Sequence, residues 1–181
     1  MNLHQIQITY QPEEDRILCR TSFNEEEDDE ALQEIRVWLT RRLVKGLWGG
    51  VIKALEARVT LDKPQAVHAA AELIDMERQA SMQDIEESGS FDSAYDTNVE
   101  AYPIGEAPML AVGVQFAVGA DAPIRVSFLL EQDCGFEISL TQSAFHGFCK
   151  LLQDAVTAAE WDVTLELPSS SDFDVEHRVL N

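Results

Sequence analysis

The chain has 181 residues, 45% hydrophobic and 25% charged, a balance that fits one globular domain with a sizeable core. Its 33 acids against 13 bases leave a net charge of -20, which disfavours generic binding to DNA, RNA or anionic lipid. No apolar run approaches the roughly 18–20 residues of a membrane span and no basic-then-apolar leader opens the chain, while Cys19, Cys134 and Cys149 show no CxxC spacing, so the expected setting is reducing and cytoplasmic.

Ile6, Ile8 and Tyr10 alternate with Gln5, Gln7 and Thr9, the period of a half-buried strand. After the turn residues of "QPEEDR", Ile17, Cys19, Thr21 and Phe23 repeat that period, which predicts a β-hairpin. Asn24 with Glu27 three residues on reads as a capping box, and the acids of 25–30 suit a helix N-terminus. A helix is therefore expected over about 25–60, with Gly49 and Gly50 a point of kinking or division. Asp62 and Pro64 open a second helix over about 64–86, whose apolar stripe would be Val67, Ala70, Ala71, Ile74, Met76 and Ile85.

Residues 88–108 show no period and form a long loop, and Phe91, Tyr95 and Tyr102 within it predict that it lies down on the body. Strands follow at 110–118, 124–130 and 136–140 as an antiparallel meander. Thr141 caps a last helix over about 142–161, with Phe145, Phe148, Cys149, Leu152, Val156 and Trp161 on its apolar side. The serine-rich, acidic residues 162–181 read as a mobile tail to a single domain of 1–161. The two halves share an order of strands followed by a helix.

On a helical wheel the stretch 35–55 is amphipathic. Val37, Leu39, Leu43, Val44, Leu47, Trp48, Val51 and Leu55 fill a broad arc, and Arg41, Arg42, Lys45 and Lys53 gather opposite. Seven of the 13 bases lie in 36–63. They form either a solvated face paired with the surrounding acids, or a recognition face, or a stripe that meets the acidic surface of a second subunit. Trp38, Arg41, Arg42, Lys45 and Trp48 are the candidate interaction residues.

Strong catalytic signatures are missing: no GxSxG, HExxH or GxGxxG occurs, and "GLWGGVIK" lacks the GK[ST] ending of a phosphate-binding loop. Three weaker constellations remain. His68, Glu72 and Asp75 have the helical spacing of metal ligands, against the plainer reading of an exposed helix face. His146 and Cys149 have the spacing of an activated thiol, against a core cysteine beside a buried histidine. Asp92, Asp96, Asn98 and Glu100 offer carboxylates and an amide for a divalent cation, without the spacing of an EF-hand. No metal or cofactor is expected.

"RVWLTRRLVKGLW", together with "FEISLTQSAFHGFCKLLQDAVTAAEW", resembles an uncharacterised bacterial protein family of unknown function, over about residues 3–161. The resemblance implies no activity and no site residue.

The expected fold is α+β. An N-terminal hairpin, two helices, a three-stranded antiparallel meander and a C-terminal helix would make one sheet with helices on one face, or else two sheets divided by the helices. The expected function is a non-enzymatic protein-interaction or accessory module, acting on a protein partner or by self-association, without membrane or direct nucleic-acid binding. The alternatives are a DNA mimic, which needs carboxylates spaced along an elongated face, and an enzyme with its site beneath the 88–108 loop.

Overall fold

The computed structural model describes residues 2–24, 32–91, 93–131 and 134–169. The alternating N-terminal residues form the expected hairpin. Strands β1 (Asn2–Gln11) and β2 (Arg16–Asn24) pair antiparallel with Ile8 opposite Cys19. Between them the Glu14 N–H donates to Gln11 O, and Asp15 takes a positive φ of 47°, a conformation that Asp tolerates in turns.

The helix expected over about 25–60 is corrected. A third strand, β3 (Leu32–Leu39), pairs antiparallel with β2, Val37 opposite Cys19. Residues 25–31, including the expected capping box, lie outside the described residues. Ile35, Val37 and Leu39 face the core at period two, and Glu34, Arg36 and Trp38 face the other side. Helix α1 (Arg41–Asp62) begins only after Thr40, whose side-chain oxygen accepts from the Leu43 N–H at 3.2 Å. From Arg41 onward the wheel holds: Val44, Leu47, Trp48, Val51 and Leu55 are buried, and Arg41, Arg42, Lys45 and Lys53 are exposed.

Gly49 and Gly50 lie inside one continuous helix. Gly50 sits where a Cβ would come within 2.8 Å of the Phe116 ring, so its bare backbone lets α1 lie close on the sheet.

A 3₁₀ segment (Pro64–Ala69) precedes α2 (Ala70–Glu87). The expected stripe is half right. Ile74 is fully buried, but Val67 and Met76 are 44% and 66% exposed. Helix α2 packs on α1 and α3 (Gln142–Ala158) rather than on the sheet, so a narrower stripe suffices.

After α2 the chain carries a short strand, β4 (Val99–Ala101), parallel to the start of β3. Strand β5 (Met109–Ala117) runs parallel to the end of β3, pairing Val37 with Met109 and Trp38 with Leu110. Strands β6 (Ile124–Leu130) and β7 (Gly135–Leu140) complete the antiparallel meander. Thr141 caps α3 as expected, accepting from the Ala144 N–H. That helix ends at Ala158, and Trp161 lies beyond it, its ring edge-on to Tyr10 at 6.1 Å.

The fold is α+β with one mixed seven-stranded sheet in the order β1-β2-β3-β5-β6-β7, with β4 beside β3. The two halves are each three antiparallel strands and a helix, and each third strand ends at a leucine followed by a threonine that caps that helix. The parallel β3–β5 pairing joins them through the helical crossover. The sheet curls toward α1 and α3. Phe23 of β2 meets Phe136 of β7 at 6.5 Å between ring centroids, although three strands separate them in the sheet order. Helix α1 lies on β5, and α3 lies against both edge strands, β1 and β7. Burying Phe128, Phe145 and Phe148 between them stabilises the fold by roughly 1.5–3 kcal/mol each.

Residues 162–169 lie along the helices. Trp48 Nε1 donates to Glu166 O at 2.7 Å, Gln153 Nε2 donates to Leu165 O at 2.6 Å, and Leu165 is buried. Residues 170–181 lie outside the described residues. Among those described, no helix is long and apolar enough to cross a membrane.

Candidate functional site

Residues 93–106 form a strap over the face of the sheet that points away from the helices. Four outward side chains hold it: Gln5, Arg20, Glu34 and Arg36. Glu34 of β3 is fully buried, and Arg20 of β2 and Arg36 of β3 both reach it. Arg20 Nη2 lies 2.8 Å from Glu34 Oε2, and Arg36 Nε donates to Oε1. The Tyr95 hydroxyl of the strap donates to the same carboxylate at 2.8 Å, and Arg36 Nη2 donates to the Tyr102 hydroxyl at 3.0 Å. Each guanidinium also lies over its tyrosine ring: Arg20 Cζ is 4.3 Å from the Tyr95 ring centroid, and Arg36 Cζ is 4.7 Å from that of Tyr102. Gln5 of β1 bonds the strap backbone twice, donating to Ala94 O and accepting from Asp96 N–H.

Burial alone would raise the Glu34 pKa. The Tyr95 hydroxyl, Arg36 and Arg20 outweigh it and hold the carboxyl below its usual range. Burial and the Glu34 charge together push the Tyr95 phenol up, so it stays protonated and donates. Of the loop's three aromatics, Tyr95 and Tyr102 lie down on the body, while Phe91 is 41% exposed.

The N-terminal end of the strap borders a groove of about 840 Å³. One wall is β1 from Leu3 to Thr9, every residue in turn. Successive strand side chains point to opposite faces, so a wall of seven consecutive residues is the strand's edge and not a face of the sheet. Among the described residues β1 pairs with β2 alone, which leaves its other edge toward the groove. The opposite wall is the start of α3, with Ser143, Ala144, Gly147 and Leu151, and the end of α2, with Asp84 and Ile85. Phe91 and Tyr95 close one end. The lining combines a backbone edge, serine and threonine hydroxyls and apolar side chains, which suits binding.

The structure separates the five candidate interaction residues. Trp38 lies on β3, half-buried, and faces away from the helices. Arg41, Arg42 and Lys45 are exposed at the start of α1, where Arg41 Nη2 donates to Asp162 O at 3.4 Å. Trp48 is buried beneath residues 162–169. Of the other bases in 36–63, Arg58 donates to Gly119 O and Ala122 O and pairs with Asp62, and Lys63 pairs with Glu77.

The weaker constellations resolve as follows. His68 is exposed in the 3₁₀ segment, Glu72 lies in α2, and Asp75 is engaged by Arg78 and Gln79. Among the described residues no three His, Cys, Asp or Glu side chains converge to hold a metal ion. His146 and Cys149 are both buried in α3. Burial pushes the Cys149 thiol up to about 12 and the His146 imidazole down, so a thiolate–imidazolium pair is disfavoured there. Asp92 lies outside the described residues. Asp96 accepts from the Asn98 N–H at 2.8 Å within the strap, and Glu100 lies on β4.

The groove and the Arg20–Glu34–Arg36 cluster were not identified from the sequence. The alternation that placed Arg20 outward was visible, but its partners come from β3 and the strap. Compared with known proteins, the chain matches no family model, no curated protein and no solved structure.

Proposed function

We propose that the protein is a non-enzymatic binding module that takes an extended segment of another polypeptide along the free edge of β1. The observation that carries this reading is the groove wall made of that edge. Seven residues of strand span about 23 Å, enough to ladder a segment of similar length through backbone hydrogen bonds. Alternate side chains of the segment would reach the apolar Ile85, Ala144 and Leu151 of the opposite wall, which supply selectivity. The volume lies within the roughly 300–1,000 Å³ of small-ligand clefts.

An enzyme beneath the 88–108 loop is the competing reading, and the groove lies where that reading needs it. Binding is favoured because the tyrosine that closes the groove is committed to Glu34, and the Cys19 and Cys149 thiols are buried and held near 12.

A displayed library of random heptapeptides, selected on the purified protein, tests the proposal. Selected peptides are expected to protect the amides of Leu3–Thr9 from hydrogen exchange. Ser143→Trp, which fills the groove from α3, is expected to weaken them at least tenfold with an unchanged circular dichroism spectrum. Failure to enrich any sequence, or protection that leaves β1 untouched, would overturn the proposal.

A further inference from the structure

The outward face of the sheet carries a second surface, independent of the groove. The strand register places Leu18 opposite Trp38 and Trp38 opposite Leu110, so three apolar side chains stand side by side on β2, β3 and β5. A bulge between Ala111 and Gly113 leaves Val112 57% exposed. Gly113 faces Leu129 of β6, which is 38% exposed and lies 3.2 Å from where a Gly113 Cβ would be. An apolar row therefore crosses four strands, beside the Gln5, Arg20, Glu34 and Arg36 positions that the strap covers.

Charge selects the occupant. At -20 overall, two copies of this chain repel each other over most approaches. The outward strand positions that the strap leaves open are different: they are nearly neutral, with Arg16 and Arg125 against Glu137. A second copy thus meets the least repulsion on the same face that exposes the apolar row. We infer that this face is a self-association surface, on which two copies pack sheet to sheet about a two-fold axis with Val112 and Leu129 in the contact. Such an isologous contact is self-complementary and closes at a dimer. Trp38, half-buried in the free chain, becomes part of the same contact.

The driving force is apolar while the remaining surface is repulsive, so dimerisation should strengthen with salt between about 0.05 and 0.5 M. Recognition of an acidic partner by the arginines would weaken over the same range. Sedimentation equilibrium of the full chain, from micromolar to hundreds of micromolar, reads the mass. A dimer is expected that tightens with salt and dissociates at least tenfold more readily in Val112→Asp/Leu129→Asp, with the circular dichroism spectrum preserved. If that variant does not fold, concentration-dependent amide protection of Leu110–Gly113 and Ser127–Leu129 in the wild-type chain provides the same test. A single-chain mass at every concentration, a dimer untouched by the substitutions, or protection confined to another face overturns the inference. Peptide binding at β1 is unaffected by any of these outcomes.

Discussion

Glu34 and His146 are both buried ionisable groups, and they answer acid in different ways. Glu34 has two arginines and a phenol, and its folded-state pKa lies below the unfolded value of 4.5. Its contribution is complete above 4.5 and is lost as the pH falls through the lower, folded value. Glu34→Gln leaves Arg20 and Arg36 without their charge partner and should cost about 2–4 kcal/mol in urea titrations. It should also release the strap, seen as faster exchange of its amides. His146 is the reverse case. It is 1% exposed, and neither ring nitrogen has a partner among the described residues. Burial depresses its pKa, with Glu77 of α2 opposing and Arg78 reinforcing the shift. A depressed histidine favours the fold only while neutral, so stability should drop as the pH falls below the unfolded value of 6.5 and level off below the folded one. His146→Leu should flatten that step and raise stability by about 1 kcal/mol near neutrality, since no hydrogen bond is lost. A step that persists in His146→Leu would assign it to another group.

At the scale of elements, the adjacent glycines of α1 give a prediction of opposite signs. Gly49 is exposed with nothing within 4 Å of an added Cβ, so Gly49→Ala should gain about 1 kcal/mol of helix propensity. Gly50→Ala earns the same propensity but drives a methyl to 2.8 Å from Phe116, whose ring is held edge-on to Phe145 at 5.9 Å. Overpacking of this kind costs about 1–3 kcal/mol, so the net effect should be destabilising. Equal effects of the two substitutions in thermal or urea unfolding would mean that Phe116 yields freely. The same part of the chain shows where sequence reasoning reached its limit. The hairpin, the meander and the Thr141 cap were legible because each is local and periodic. Strand β3 was not. Leu32, Ile35, Leu39 and Leu43 keep a helical spacing across the strand and into α1, and the charged Glu34 and Arg36 resembled a solvated helix face. They are charged because they fasten the strap, a contact about 60 to 70 residues away in sequence. The groove escaped for the same reason, since β1, α2 and α3 meet only in the folded chain.

For the whole molecule, the question is which sign of electrostatics dominates. The surface ion pairs Lys63–Glu77, Arg78–Asp75, Arg125–Glu137 and Lys150–Asp154 are favourable contacts that salt would weaken. Exposed pairs are worth at most about 0.2–1 kcal/mol each, and the longest, Arg125–Glu137, spans 3.7 Å. Against them stand 20 uncompensated negative charges on a chain of 181 residues, whose mutual repulsion is relieved by unfolding. Raising the ionic strength from about 0.01 to 1 M shortens the screening length from about 30 to 3 Å, which silences the long-range repulsion before it weakens contacts at ion-pair distance. The buried Arg20–Glu34–Arg36 cluster lies beyond most of that screening. The melting temperature should therefore rise with sodium chloride, and rise less in a variant whose exposed Glu56 and Glu86 are replaced by Gln. A melting temperature that fell with salt would show that the ion pairs outweigh the net charge.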